Sequence, residues 1–183
     1  MRIMGGRMKG RPIRCPRESV VRPVLGRLRE SLFSALGDLR GLNVLDLFAG
    51  VGTLGFESIS RGAVSATFVE RDGLAVRYLR RNIVDLGIEE CARVYSMDVY
   101  RFLGRLRARP AAYDIVFADP SYHQGDAERI VSTLAGLPGI ASLIVVKHSF
   151  REELPIQRQS HEPLRILKRG DDRITILRGG MPL

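Results

Sequence analysis

Cysteine is nearly absent from this chain. Only Cys15 and Cys91 occur, far apart, with no CxxC pairing and no neighbouring histidine. That scarcity argues against a disulfide framework or a metal site and suits a reducing cytoplasm. Long apolar runs are also missing. None approaches the roughly 18 residues needed to cross a bilayer. The first stretch, MRIMGGRMKGRPIRCPRESVVRP, has no apolar centre of the kind a secretory signal needs, and its glycines and prolines suit an amphipathic targeting helix poorly. No internal repeat and no low-complexity tract is visible. What remains is an ordinary globular balance, 45% hydrophobic and 27% charged, over 183 residues. A single domain with a substantial core is expected.

Charge is the first positive signal. The net charge is +9, and residues 1–40 hold ten basic side chains against three acidic ones. A segment so basic favours a polyanion such as nucleic acid, against the plainer reading of a solvated tail. Arginine far outnumbers lysine, which suits phosphate forks and base stacking. A GC-rich genome gives the same bias, so that ratio carries little weight.

Periodicity orders the rest. Residues 1–23 read as a short hairpin or an extended arm. Leu25, Leu28, Leu32, Phe33 and Leu36 then recur at helical spacing, with Arg27, Arg29 and Glu30 on the other face. Strands over 43–50, 66–71, 92–98, 113–120 and 142–149 alternate with helices over 53–62, 74–87, 99–108 and 126–137. Apolar strands joined by helices imply parallel βαβ crossovers, with helices on both faces of the sheet. The chain ends differently. PLRILKRG and RITILRG form an antiparallel hairpin around an Asp-rich turn. An α/β fold with a mostly parallel sheet and a closing antiparallel hairpin is expected.

The stretch LDLFAGVGTLGFES places Gly50, Gly52 and Gly55 as GxGxxG between a strand and a helix. Glycines let the backbone turn tightly and approach a ligand, and the following helix start offers unpaired N–H groups. Glu70 ends the second strand twenty residues after Gly50, where a carboxylate accepts ribose hydroxyls. An adenosine-type ligand follows. Asp46 argues against NAD, because an acid beside pyrophosphate is awkward. It suits a positive centre such as the sulfonium and amino group of S-adenosylmethionine. Asp98, ending the third strand, can accept from the adenine amino group or cap the helix at 99.

The fourth strand runs into Asp119-Pro120-Ser121-Tyr122. At that edge of an open α/β sheet it faces the glycine loop across one crevice. Asp119 and the Pro120 carbonyl can accept both hydrogens of a planar amine, and Tyr122 can stack on its ring. His123 and His148 read as polar rim residues rather than catalysts.

Together these segments resemble the class I S-adenosylmethionine-dependent methyltransferases with the Rossmann-like seven-stranded fold, and within them the RsmD-type small-subunit rRNA guanine-N2 methyltransferases. MRIMGGRMKGRPI is similar to that family's basic hairpin, RPVLGRLRESLFSAL to its Arg-rich helix, LDLFAGVGTLGFESISRGA to its cofactor loop, FVERD to its ribose-binding acid, and DIVFADPSY to its Asp-Pro-Pro-aromatic motif. The resemblance implies residues 24–183 as the catalytic domain of a cytoplasmic monomer. Its substrate is rRNA, preferably in an assembled ribosomal particle. Asp46, Phe48, Gly50, Gly52, Gly55, Glu70 and Asp98 are then expected to hold the cofactor, and Asp119, Pro120 and Tyr122 the base amine. Arg2, Arg7, Lys9, Arg11, Arg22, Arg27 and Arg29 are expected to meet RNA, and no metal is expected. Ser121 stands in place of the family's second proline, Gly26 and Val24 in place of Asp and Thr, and Lys147 where the family often has an acid. An adenine-N6 or cytosine-N4 amino-methyltransferase is the alternative; an NAD-linked oxidoreductase and an inactive RNA-binding protein rank lower.

Overall fold

The computed structural model describes residues 1–16, 23–108, 112–120, 125–156 and 162–179. Helix α1 (Pro23–Leu36) precedes an alternation of β1 (Asn43–Leu47), α2 (Thr53–Ser60), β2 (Ser65–Glu70), α3 (Gly73–Leu86), β3 (Ala92–Ser96), α4 (Val99–Ala108), β4 (Tyr113–Ala118), α5 (Asp126–Ala135) and β5 (Ala141–Ser149). The chain closes with β6 (Glu162–Arg169) and β7 (Asp172–Arg178). One sheet results, in the order β3-β2-β1-β4-β5-β7-β6. Strands β1 to β5 are parallel; β7 runs antiparallel to both β5 and β6. The order reverses between β1 and β4, so a crevice opens above their C-terminal ends.

Side-chain alternation sets the two layers. Leu45, Leu47, Val69, Val116, Ala118 and Val146 face α4 and α5. Val44, Ile115, Phe117, Val145, Ile174 and Ile176 face α1, while Ala66 and Phe68 meet α2 and α3. Phe33, Phe56, Phe68 and Phe117 are completely buried, and each contributes about 1.5–3 kcal/mol by leaving water. The expectation of strands covered on both faces holds for the centre of the sheet. It fails at the edges: β3 is largely open, and β6 exposes Leu164 and Ile166.

Several boundaries are shorter than the apolar runs suggest. β1 stops at Leu47 because Phe48 turns with φ 59°. β4 stops at Ala118, before Asp119. In the final hairpin the turn is Gly170-Asp171, and Asp172 already belongs to β7, where it is buried.

Residues 1–13 form a docked hairpin, closed by Ile3 N–H to Arg11 O (3.0 Å) and Ile13 N–H to Met1 O (2.8 Å). Ile3, Met8 and Ile13 are buried against α2 and α3. Met4 N–H donates to Glu57 Oε2 and Met8 N–H to Ser60 Oγ, both at 2.9 Å. Gly6 lies so close to the end of α2 that a Cβ there collides with the Ser60 carbonyl.

Candidate active site

Register brings the key side chains into one row. Leu47 pairs with Val69 and Ala118, and Ala118 with Val146. One residue further on, Glu70, Phe48, Asp119 and Lys147 therefore stand side by side at the C-terminal edge. Two cavities meet there. One, of about 470 Å³, is polar and runs past Phe48, Gly50, Glu70, Asp98 and Tyr100. The other, of about 200 Å³, is walled by Leu28, Leu32, Leu54, Val145 and Ile174, with Arg29 and Met1 at its side. Asp119 and Lys147 line both. The larger volume is that of a small-molecule site.

The three glycines of the loop differ in role. A Cβ on Gly52 meets Leu79 and Phe56, and one on Gly55 meets Phe68, so these two permit close packing. Gly50 has nothing within 4 Å of its Cβ position, has φ +55°, and lines the polar cavity. Of the three, it is the one beside which a ligand fits. Phe48 is a bulky residue in the left-handed region, a strained conformation that aims its ring at the cavity.

Asp46 is not on the cavity wall. Alternation turns it toward α2, between its register neighbours Phe68 and Phe117, and it is 2% exposed. Its Oδ2 accepts from Gly55 N–H at 2.9 Å. Burial pushes the carboxyl up to about 8, aided by the nearby charges of Asp119 and Glu70 and opposed by the Gly55 hydrogen bond. Burial thus favours its protonated form, and its bond to Gly55 N–H braces the loop from behind.

Glu70 ties β2 to the loop. Its Oε1 accepts from Arg71 and Asp72 N–H, and its Oε2 from Gly50 N–H, all at 2.8 Å. Of roughly four acceptor positions on a carboxylate, one is left, on the oxygen shared with Gly50. Asp98 caps α4 through Oδ1, which accepts from Tyr100 and Arg101 N–H. Its Oδ2 lies 4.0 Å from Arg71. Capping thus engages one oxygen and leaves the other clear of the helix start. Tyr100 packs edge-on to Phe48 and under the Arg129 guanidinium, 3.9 Å from its ring. The Tyr100 hydroxyl is buried without a hydrogen-bond partner among the described residues. An open glycine, a carboxylate with one free position, a second acid and an orphaned phenol fit a nucleoside cofactor. Tyr100 and Arg129 escaped the sequence reading because only the fold brings α4 and α5 together here.

Asp119 follows β4 and is partly exposed; Pro120 is buried. Lys147 Nζ donates to Asp119 Oδ1 at 2.9 Å. A lysine inside the apolar run LIVVKHS was the available signal for this partner. Ser121, Tyr122 and His123 lie outside the described residues, as does Arg22. His148 is not on the rim: it is buried, its Nε2 bonded to Thr175 Oγ1 at 2.9 Å, and burial lowers its pKa. Among the basic residues, Arg7, Lys9 and Arg27 are exposed. Arg2 reaches the Gly10 carbonyl. Arg11 is tied to the Leu86 and Asp85 carbonyls at the end of α3. Arg29 is drawn inward, held by Met1 and Met4 sulfurs and the Arg2 carbonyl, and burial lowers its pKa.

This sheet, with its closing hairpin and its cavity beside the glycine loop, defines a class I, Rossmann-like methyltransferase that uses S-adenosylmethionine. A family model described as conserved hypothetical protein 95 matches residues 1–178. The ribosomal RNA small subunit methyltransferase D of Escherichia coli K12 is 34% identical over 158 residues, covering 85% of this chain and 78% of that one. Its namesake from Buchnera aphidicola (Acyrthosiphon pisum) is 35% identical over 133 residues, covering 72% and 68%. Among solved structures, the Escherichia coli protein yhhF superposes with a TM-score of 0.84 at 30% identity, covering 100% of this chain and 99% of that one. The Haemophilus influenzae protein HI0767 gives 0.78 at 30%, covering 98% of each. The chain belongs to this family, the RsmD-type methyltransferases.

Proposed function

We propose that the chain methylates the exocyclic N2 amine of a guanine in small-subunit rRNA, presented by an assembled ribosomal particle, and that it acts as a cytoplasmic monomer. The observation that carries this reading is the position of Asp119 at the junction of the polar and apolar cavities, with Pro120 next to it on the polar side. The relatives named as small-subunit rRNA methyltransferases supply the substrate class. Among the described residues no helix is long and apolar enough to cross a membrane.

In this reading Gly50, Glu70 and Asp98 hold the cofactor in the polar cavity, with Phe48 against it and Gly52, Gly55 and Asp46 shaping the loop. S-adenosylmethionine, when bound, supplies a methyl group on a positive sulfur whose departure as a neutral thioether needs no acid. Asp119 and the Pro120 carbonyl accept the two amine hydrogens, which directs the nitrogen lone pair out of the base plane. Leu28, Leu32, Leu54 and Val145 keep water from the base, and Tyr122 stacks on it. Of the basic set Arg2, Arg7, Lys9, Arg11, Arg22, Arg27 and Arg29, the exposed Arg7, Lys9 and Arg27 carry most of the RNA contact, Arg11 ties the hairpin to α3, and Arg29 lies nearest the base. Most of the rate gain comes from alignment.

The test is methyl transfer from labelled S-adenosylmethionine to naked small-subunit rRNA, assembled small subunits and duplex DNA, with nucleoside analysis. N2-methylguanosine from the assembled particle is expected. Methylated adenine, or labelling of DNA alone, overturns the reading. Asp119→Ala is expected to lower kcat at least 100-fold while cofactor affinity, measured by calorimetry, stays within a few-fold.

A further inference from the structure

We propose that Arg29 reads the O6 and N7 acceptors of the target guanine while Asp119 holds its amine, which makes Arg29 a specificity residue of the substrate cavity. This rests on the reading of Asp119 as the amine acceptor. Arg29 lines the apolar cavity of about 200 Å³, among Leu28, Leu32, Leu54 and Val145. Asp119 lines the same cavity where it joins the polar one. A base whose amine sits at that junction extends its far edge into the space beside Arg29. The partners of Arg29 are soft ones. Nε donates to the Met4 sulfur at 3.3 Å, Nη1 to the Met1 sulfur at 3.6 Å, and Nη2 to the Arg2 carbonyl at 3.2 Å. A thioether is a weak acceptor and a guanidinium carries five N–H groups. One N–H on each terminal nitrogen is therefore left without an acceptor among the described residues. Glu57, the acid whose charge Arg29 feels, already accepts from Arg61 at 2.9 Å and from Met4 N–H. Two guanidiniums share one buried carboxylate, and the surplus positive charge stands at the cavity wall. The hairpin thus folds back to hold this side chain between two methionines, fixed for a partner that enters the cavity.

Guanine supplies that partner. A guanidinium's two N–H groups match O6 and N7, a pair of adjacent acceptors that no other base presents. Adenine has an amine where O6 stands, so donor meets donor, and pyrimidines lack N7. The amine and the O6/N7 pair lie on different edges of the ring, so Asp119 and Arg29 can engage one guanine together. A phosphate also accepts such a fork. The walls around Arg29 are leucine and valine, however, and these suit the flat face of a base rather than an anion that must keep its water.

Two arms test this. In the first, the wild-type protein and assembled small subunits identify the methylated guanosine. In the second, that guanosine is replaced by 7-deazaguanosine, which lacks the N7 acceptor, or by 2,6-diaminopurine riboside, which keeps the N2 amine and N7 but carries an amine in place of O6. Single-turnover rates are measured for wild type and Arg29→Met, and cofactor affinity by calorimetry. Wild type is expected to slow about 10-fold on 7-deazaguanosine and about 100-fold on the diaminopurine. Arg29→Met is expected to lose about 10- to 100-fold on guanosine, nothing further on 7-deazaguanosine, and less on the diaminopurine than wild type does, with cofactor affinity within a few-fold. A wild type that treats 7-deazaguanosine like guanosine overturns the role of Arg29 while the function stands, and this outcome needs no variant to fold. A phosphate contact gives that same result. A full 7-deaza penalty in Arg29→Met also overturns the role. A product on another base overturns the function and the Arg29 assignment together.

Discussion

Asp46 shows how a single residue changes meaning when its surroundings are known. In the sequence it is an acid near a cofactor loop; in the fold it is a buried hydrogen-bond acceptor between two phenylalanines. An ordinary aspartate titrates near 3.9, and burial raises this one to about 8. A raised carboxyl binds its proton more tightly in the folded state. Its contribution is fully present below about pH 4 and is lost as pH rises through 8. Between those values stability falls by about 1.4 kcal/mol per pH unit from this group alone. Asp46→Asn keeps an acceptor for Gly55 and removes the titration. Thermal unfolding at pH 5, 6, 7 and 8 is expected to give a flatter curve for the variant, and parallel curves refute the assignment. Cofactor affinity is expected to stay within a few-fold, as suits a brace.

At the scale of elements, the basic hairpin is a structural part of the domain. Its attachment centres on Glu57, whose side chain is 1% exposed and accepts from Met4 N–H and from Arg61. Arg61 in turn lies 5.0 Å from the centre of the Phe33 ring, so hairpin, α2 and α1 are joined at one point. Glu57→Ala is expected to destabilise the protein by about 2–4 kcal/mol, since it leaves buried donors without acceptors. Limited trypsin digestion checks this at the right place. The wild-type hairpin is expected to resist cleavage after Arg7 and Lys9, whereas the variant is expected to be cut there early. The hairpin matters to the site because Met1 and Met4 also hold Arg29 against the apolar cavity.

Across the whole molecule, the +9 charge is expected to drive a salt-dependent association with RNA, to which the basic residues do not contribute alike. Each phosphate contact adds about 0.7–0.9 to the slope of log K against log salt. Arg27 is exposed, and Arg27→Glu is expected to reduce that slope by about one or more. Arg11→Ala is expected to act mainly on stability, because its guanidinium caps the carbonyl end of α3. Filter binding at 50 to 200 mM salt separates the two, and equal changes in slope for both variants argue against this division.

The sequence by itself determined the alternation of strands and helices, the glycine loop, the acids at strand ends and the Asp-Pro that follows β4. Each of these is written in local periodicity or in residues whose chemistry is local, so each is legible without the fold. Only the tertiary structure decided the rest. Strand order set β7 between β5 and β6; parity turned Asp46 inward; register set Lys147 beside Asp119; docking buried Ile3 and pulled Arg29 off the surface. These depend on pairings between residues far apart in the chain, where the energy comes from joint burial and from the hydrogen bonds that burial demands. No window of sequence contains both partners, and so the active site is a property of the sheet rather than of any one of its strands.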